Sequence, residues 1–125
     1  MTDEQLMECA KEAAGFSYSP YSNFAVGAAL LTEEGTLYTG CNIENASYGA
    51  TNCAERTAIF KAVSEGNRKL QKIAVAAGDG STAYPCGICL QVMLEFMPEG
   101  IVILEENGEL VRYRLTELLP KGFTL

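Results

Sequence analysis

Residues Phe24–Phe60 read FAVGAALLTEEGTLYTGCNIENASYGATNCAERTAIF, and their order decides the fold. FAVGAALL is an apolar run of the kind that forms a strand buried on both faces. Glu34-Gly35 turns the chain into TLYTGCNI, a second strand, and the polar loop ENASYGATN follows. From Cys53 to Ser64 the apolar positions Ala54, Ala58, Ile59 and Ala62 fall at helical spacing, so the stretch predicts a helix closing near Gly66. Strand, turn, strand, loop and helix within about forty residues call for a layered α/β arrangement.

The flanks extend the pattern. Thr2 and Gln5 form a capping-box pair ahead of a helical face made by Leu6, Ala10, Ala13 and Ala14, which ends at Gly15; SYSPYSNF is a loop. KIAVAAG predicts a third buried strand, and CGICLQVMLEFM a helix stopped by Pro98. IVILEE and LVRYRL frame Asn107-Gly108, a hairpin turn, and Thr116 is expected to cap a short TELL turn. The order α-β-β-α-β-α-β-β-α predicts a three-layer α/β/α sandwich around a mixed five-stranded sheet, with residues 1–125 forming one domain.

Composition narrows the chemistry. The 125 residues carry 9 Lys and Arg against 16 Asp and Glu, a net charge of −7, which argues against a polyanionic partner. No apolar run reaches the roughly 20 residues that span a bilayer, and the acidic N-terminal stretch reads as neither a signal nor a transit peptide. Five cysteines leave an odd one in any complete disulfide scheme, which favours reduced thiols and a cytoplasmic address. The chain has no histidine, so a Ser-His-Asp triad, a Cys-His pair and any zinc site built on imidazole are excluded.

Chemistry concentrates at two predicted helix starts. Cys53 opens one helix, and Cys86 opens another with Cys89 one turn on. Helix N-termini present unpaired N–H groups and partial positive charge, which favour thiolates. Should the two starts converge, three thiolates could hold one Zn²⁺ with its fourth position open, as in catalytic rather than structural zinc sites. Each piece has a plainer reading. PCGIC could be a redox pair or two buried cysteines, Glu55 a favourable charge on a helix dipole, and Arg56 a solvated helix charge. Cys9 and Cys41 read as small apolar fillers, although Cys41 could supply a fourth ligand and make the zinc structural.

Taken together, Cys53-Ala54-Glu55 followed about thirty residues later by Pro85-Cys86-x-x-Cys89 resembles the zinc deaminase signature in its three-cysteine form. SPYSNFAVGAAL, GCNIENASYGATNCAERTAI, PCGIC with QVMLEF, and LLPKGF are similar, in order, to segments of the small homotetrameric cytidine deaminases. The resemblance implies a cytidine deaminase-like sandwich, one Zn²⁺ per chain held by Cys53, Cys86 and Cys89, and Glu55 as proton shuttle. It makes Arg56 a partner of the metal thiolates. Phe24, Asn42, Glu44 and Ala54 become substrate contacts, with Asn42 and Glu44 on the ribose hydroxyls. Tyr48 and Phe123 are expected to reach a neighbouring subunit's pocket.

The implied activity is hydrolytic deamination of cytidine and 2′-deoxycytidine in pyrimidine salvage. Its rivals are deamination of a cytosine-bearing nucleoside antibiotic, polynucleotide editing, and a zinc-stapled module without catalysis. Two positions depart from the family pattern: Leu90 stands where arginine usually follows the last zinc cysteine, and Tyr84 replaces a small residue before Pro85.

Overall fold

The computed structural model describes residues 1–125. Helix α1 (Asp3–Ala14) leads into strands β1 (Val26–Thr32) and β2 (Leu37–Cys41), followed by α2 (Ala54–Ser64), β3 (Leu70–Ala77), α3 (Gly87–Phe96), β4 (Ile101–Glu106), β5 (Glu109–Arg114) and the single turn α4 (Leu115–Leu118). The sheet runs β2-β1-β3-β4-β5, with β3 and β4 parallel and every other pair antiparallel. It is therefore mixed and five-stranded, as expected. The parallel pair requires a crossover, and α3 supplies it.

The side-chain alternation of the central strands builds two cores. Ala28, Leu30, Ile73, Val75, Val102 and Leu104 face α2 and α3. Ala29, Leu31, Ala74, Ala76 and Ile103 face α1, where Leu6 and Met7 are fully buried. Each of the Leu, Ile, Val and Met side chains contributes about 1.5–3 kcal/mol of burial, and each alanine less. The result is three layers, α1 on one face and α2 with α3 on the other.

Two strand glycines set how closely those layers meet. A Cβ on Gly27 would collide with the backbone of α1 at Ala10 and Ala14. One on Gly40 would lie 2.5 Å from Ala58 N and 2.6 Å from Ala54 O. Gly40 thus lets the first turns of α2 lie directly on the sheet. That is the turn that Cys53 begins.

Local signals behave as their chemistry requires. Gln5 N donates to Thr2 Oγ1 and Thr2 N to Gln5 Oε1, at 3.1 and 2.9 Å. Asn107 and Gly108 take positive φ (52° and 80°), the backbone of a tight hairpin turn. One expectation fails: Thr116 does not cap the last turn. The cap is Arg114, whose N–H donates to Glu117 Oε1 at 3.0 Å, and Thr116 lies inside the helix. Fully buried Leu115, whose N–H donates to Gly100 O, fixes the start two residues earlier than the hydroxyl suggested.

Candidate metal centre and cleft

Cys53 and Cys86 are the N-cap residues of α2 and α3, both with extended backbone and neither using its side chain as a cap. Their thiols are free to turn toward each other, and the sulfurs stand 3.8 Å apart. Cys89, buried on the first turn of α3, completes a cluster in which all three sulfurs lie within 4.8 Å of one another. A tetrahedral zinc with bonds of about 2.3 Å sets its sulfurs about 3.8 Å apart, so the donor set and its spacing fit Zn²⁺. Cys41 is elsewhere, lining a separate hollow with Cys9 and Lys61. It does not join the cluster, which has three cysteines and not four.

Arg56 Nη2 donates to Cys53 Sγ at 3.2 Å. The Cys53 thiol is pulled down, first by the hydrogen bond from Cys89 and then by Arg56, while Cys89, the donor, is pushed up. Arg56 in turn is held firmly protonated by the two sulfurs, although its burial opposes this. Its Nε is buried without a partner, so part of the guanidinium's donor capacity is left unused. Leu90 lies buried among the apolar residues on the α2–α3 side of the sheet, so the cation acting on the sulfurs is Arg56.

Glu55 follows the cysteine cap by two residues and is 4% exposed. Burial pushes its carboxyl up to about 7, with the Cys53 charge adding to the shift. A dication held by the neighbouring thiols would pull it down again. A carboxyl poised near neutrality in a cleft suits proton transfer.

The cleft above these residues has a volume of about 420 Å³. Cys53, Ala54, Glu55 and Cys86 line it together with Ser22, Phe24, Asn42 and Glu44. Phe24 precedes β1 and therefore lines the cleft instead of entering the core. Asn42 and Glu44 are held tightly. Asn42 Oδ1 accepts from Val26 N at 2.9 Å and from Ser17 Oγ at 2.5 Å, and its Nδ2 donates to Phe24 O at 2.8 Å. Glu44 accepts from Tyr21 N, Ser22 N and Ser22 Oγ, bonds that lower its pKa.

Tyr48 and Phe123 are not brought to this cleft. They are 75% and 66% exposed, with Tyr48 edge-on to Tyr21 and the Phe123 carbonyl accepting from Gln91 Nε2. Thr51, Thr82 and Ala83 line the cleft but were not singled out by the sequence. They are small loop residues with no pattern of their own, and only proximity to PCGIC or NIEN could have marked them.

With this geometry in place, comparison with known proteins is decisive. A family model described as the cytidine and deoxycytidylate deaminase zinc-binding region matches residues 1–105. The chain belongs to this family. A cytidine deaminase of Sporosarcina psychrophila is 47% identical over 99% of this chain and 93% of its own length. One from Halalkalibacterium halodurans is 48% identical over 99% and 96%. The crystal structure of the Burkholderia pseudomallei cytidine deaminase superposes with a TM-score of 0.92 at 46% identity, covering 98% of this chain and all of the other. The three-layer fold is the fold of this family.

Proposed function

We propose that the chain catalyses hydrolytic deamination of cytidine and 2′-deoxycytidine, giving the corresponding uridines and ammonia. One observation carries the reading: a cluster of three cysteine sulfurs and a buried Glu55 adjoin a cleft that Asn42 and Glu44 also line. Cys53, Cys86 and Cys89 would hold the metal, with Arg56 offsetting their charge. Zinc bound there supplies Lewis acidity, lowering the pKa of a bound water to about 7. Glu55 would take one proton from the attacking water and deliver it to ring N3, which keeps it, then take the second from the oxygen added at C4 and deliver it to the amino group, which leaves as ammonia. A single carboxyl can carry both transfers because C4 lies between N3 and the exocyclic nitrogen. Buried apolar neighbours such as Ala54 and Val75 limit water in the cleft.

For the sugar, hydrogen-bond valence supports the same assignment. Asn42 has one Nδ2 hydrogen left after Phe24 O, and Glu44 has one lone pair left on Oε2 after Ser22. One free donor and one free acceptor match a single hydroxyl, which both donates and accepts. Ribose and deoxyribose share the 3′- and 5′-hydroxyls, so either sugar can supply such a group and both nucleosides are expected substrates. The Glu44 carboxylate would also repel a nearby substrate phosphate.

We further infer a homotetramer, each site completed by neighbours through Tyr48 and Phe123, which lie exposed and outside their own chain's cleft. A cytoplasmic address is supported by five free cysteines, three of which must stay reduced to bind metal. No helix is long and apolar enough to cross a membrane.

The test is ultraviolet monitoring of cytidine turnover, with metal content and sedimentation measured on the same sample. Zinc near one per chain with uridine formation supports the reading. Bound zinc without turnover of either nucleoside overturns it.

A further inference from the structure

Tyr84 stands on the loop from β3 to the Cys86 cap, is 61% exposed, and lines the cleft together with Cys86. An exposed tyrosine is ordinarily free to turn, but this one is anchored. Its hydroxyl donates to Glu106 Oε2 at 2.8 Å, and the Tyr113 hydroxyl donates to the same oxygen at 2.6 Å. These two bonds, Tyr113 foremost, hold the Glu106 carboxyl below its usual range, so the bonds to it are charge-assisted. The same loop is pinned a second time where Thr82 Oγ1 donates to Glu105 O at 2.9 Å. The tip of the β4–β5 hairpin therefore clamps the loop that walls the cleft.

Which part of a substrate this wall would meet depends on the proposed role of Glu55. C4 of a cytosine ring is flanked by N3 and C5. With Glu55 of α2 serving N3, as proposed above, the C5 edge of the ring would be turned toward the loop entering α3, where Tyr84 stands.

We propose that Tyr84 is a specificity-determining residue that limits substituents at C5 of the pyrimidine, and that Glu106 and Tyr113 are positioning residues that fix its ring. The inference rests on the deaminase reading above. A tyrosine has only two side-chain torsions, so one strong bond at its far end immobilises the whole ring. A fixed wall excludes a bulky group more effectively than a mobile one.

The experiment compares kcat and KM for cytidine and 5-iodocytidine in the zinc-loaded wild type, Tyr84→Ser, Tyr84→Phe, Glu106→Leu and Tyr84→Phe/Glu106→Leu. In Tyr84→Ser the ratio of kcat/KM for 5-iodocytidine to that for cytidine should rise about tenfold, mainly through KM. Tyr84→Phe and Glu106→Leu keep the ring but lose its anchor, so each should raise the ratio by a smaller amount. The double variant should go no further than either single change, because both remove the same bond. Tyr84→Phe is nearly isosteric and keeps the test informative should Glu106→Leu fail to fold. An unchanged ratio in Tyr84→Ser, a parallel loss for both substrates, or additive effects in the double variant would overturn the proposal. Failure of the zinc-loaded wild type to turn over cytidine would overturn the deaminase reading and this inference together, whereas turnover with an unchanged ratio overturns this inference alone.

Discussion

Arg56 Nη2 donates to the Cys53 thiol at 3.2 Å from three residues further along the helix that Cys53 begins. Residues three apart share one side of a helix, so the same turn delivers a thiol of the cysteine cluster and the guanidinium bonded to it. The turn itself lies on the sheet because Gly40 leaves room for it. With Leu90 buried in the core, Arg56 is the cation felt by both Cys53 and Cys89.

Arg56→Gln should therefore cost about 10- to 100-fold in activity or zinc affinity, the usual range for a group that supports metal ligands. Metal content and kcat on the same sample separate the two. Undiminished values for both would show that the guanidinium serves packing alone.

Glu55→Gln is expected to retain zinc and lower kcat by about 10²–10⁴-fold, the range typical for loss of a general acid–base group. Because Glu55 is almost fully buried, the neutral amide should leave thermal stability equal or raised. Thermal melts read alongside initial rates check both halves.

Gly40→Ala places a methyl carbon 2.5 Å from Ala58 N, against backbone that cannot turn aside. A loss of about 1–3 kcal/mol or more is expected in urea unfolding, since overpacking of this kind displaces an element. Zinc content should fall with it, because the displaced element carries Cys53.

Metal removal should destabilise the chain. The three sulfurs tie the start of α2 to the start of α3 across 33 residues, so ligand binding and folding are linked. A chelator should lower Tm, and added zinc should restore it. An unchanged Tm would count against the cysteine assignment.

At acid pH the contact between α1 and the sheet should weaken through Asp3. Its carboxyl binds Lys72 at 2.6 Å and Arg112 at 2.5 Å, and the hydrogen bond from Lys72 leads the causes that lower its pKa. A carboxyl depressed in the folded state contributes stability above its unfolded value of about 4 and loses it as pH falls through the folded value. Wild type should exceed Asp3→Asn by about 1 kcal/mol or less near pH 6, after allowance for solvent screening. The difference should vanish toward pH 2. Urea midpoints across that range would show it, and a gap that persists at low pH would assign the effect to something other than the charge.

What the amino-acid sequence determined by itself was whatever is settled within a few residues. The Thr2–Gln5 capping box, the Asn107-Gly108 turn, the apolar runs of the central strands and the placing of Cys53 and Cys86 at helix starts are of this kind, because each depends on local hydrogen bonding or on side-chain period. Thr116 shows the limit even there: its hydroxyl is a competent cap, but the burial of Leu115 against distant strands moved the helix start. Tertiary structure alone decided that the two cysteine-bearing helices lie on the same face of the sheet, that Cys41 opens onto a different hollow, and that Tyr84 meets Glu106. These depend on the strand order β2-β1-β3-β4-β5 and on the α3 crossover. Periodicity specifies that a strand exists and which of its residues point the same way. It carries no information on which neighbour the strand will pair with, because backbone hydrogen bonds are alike in every strand and the choice is made by packing the whole core at once.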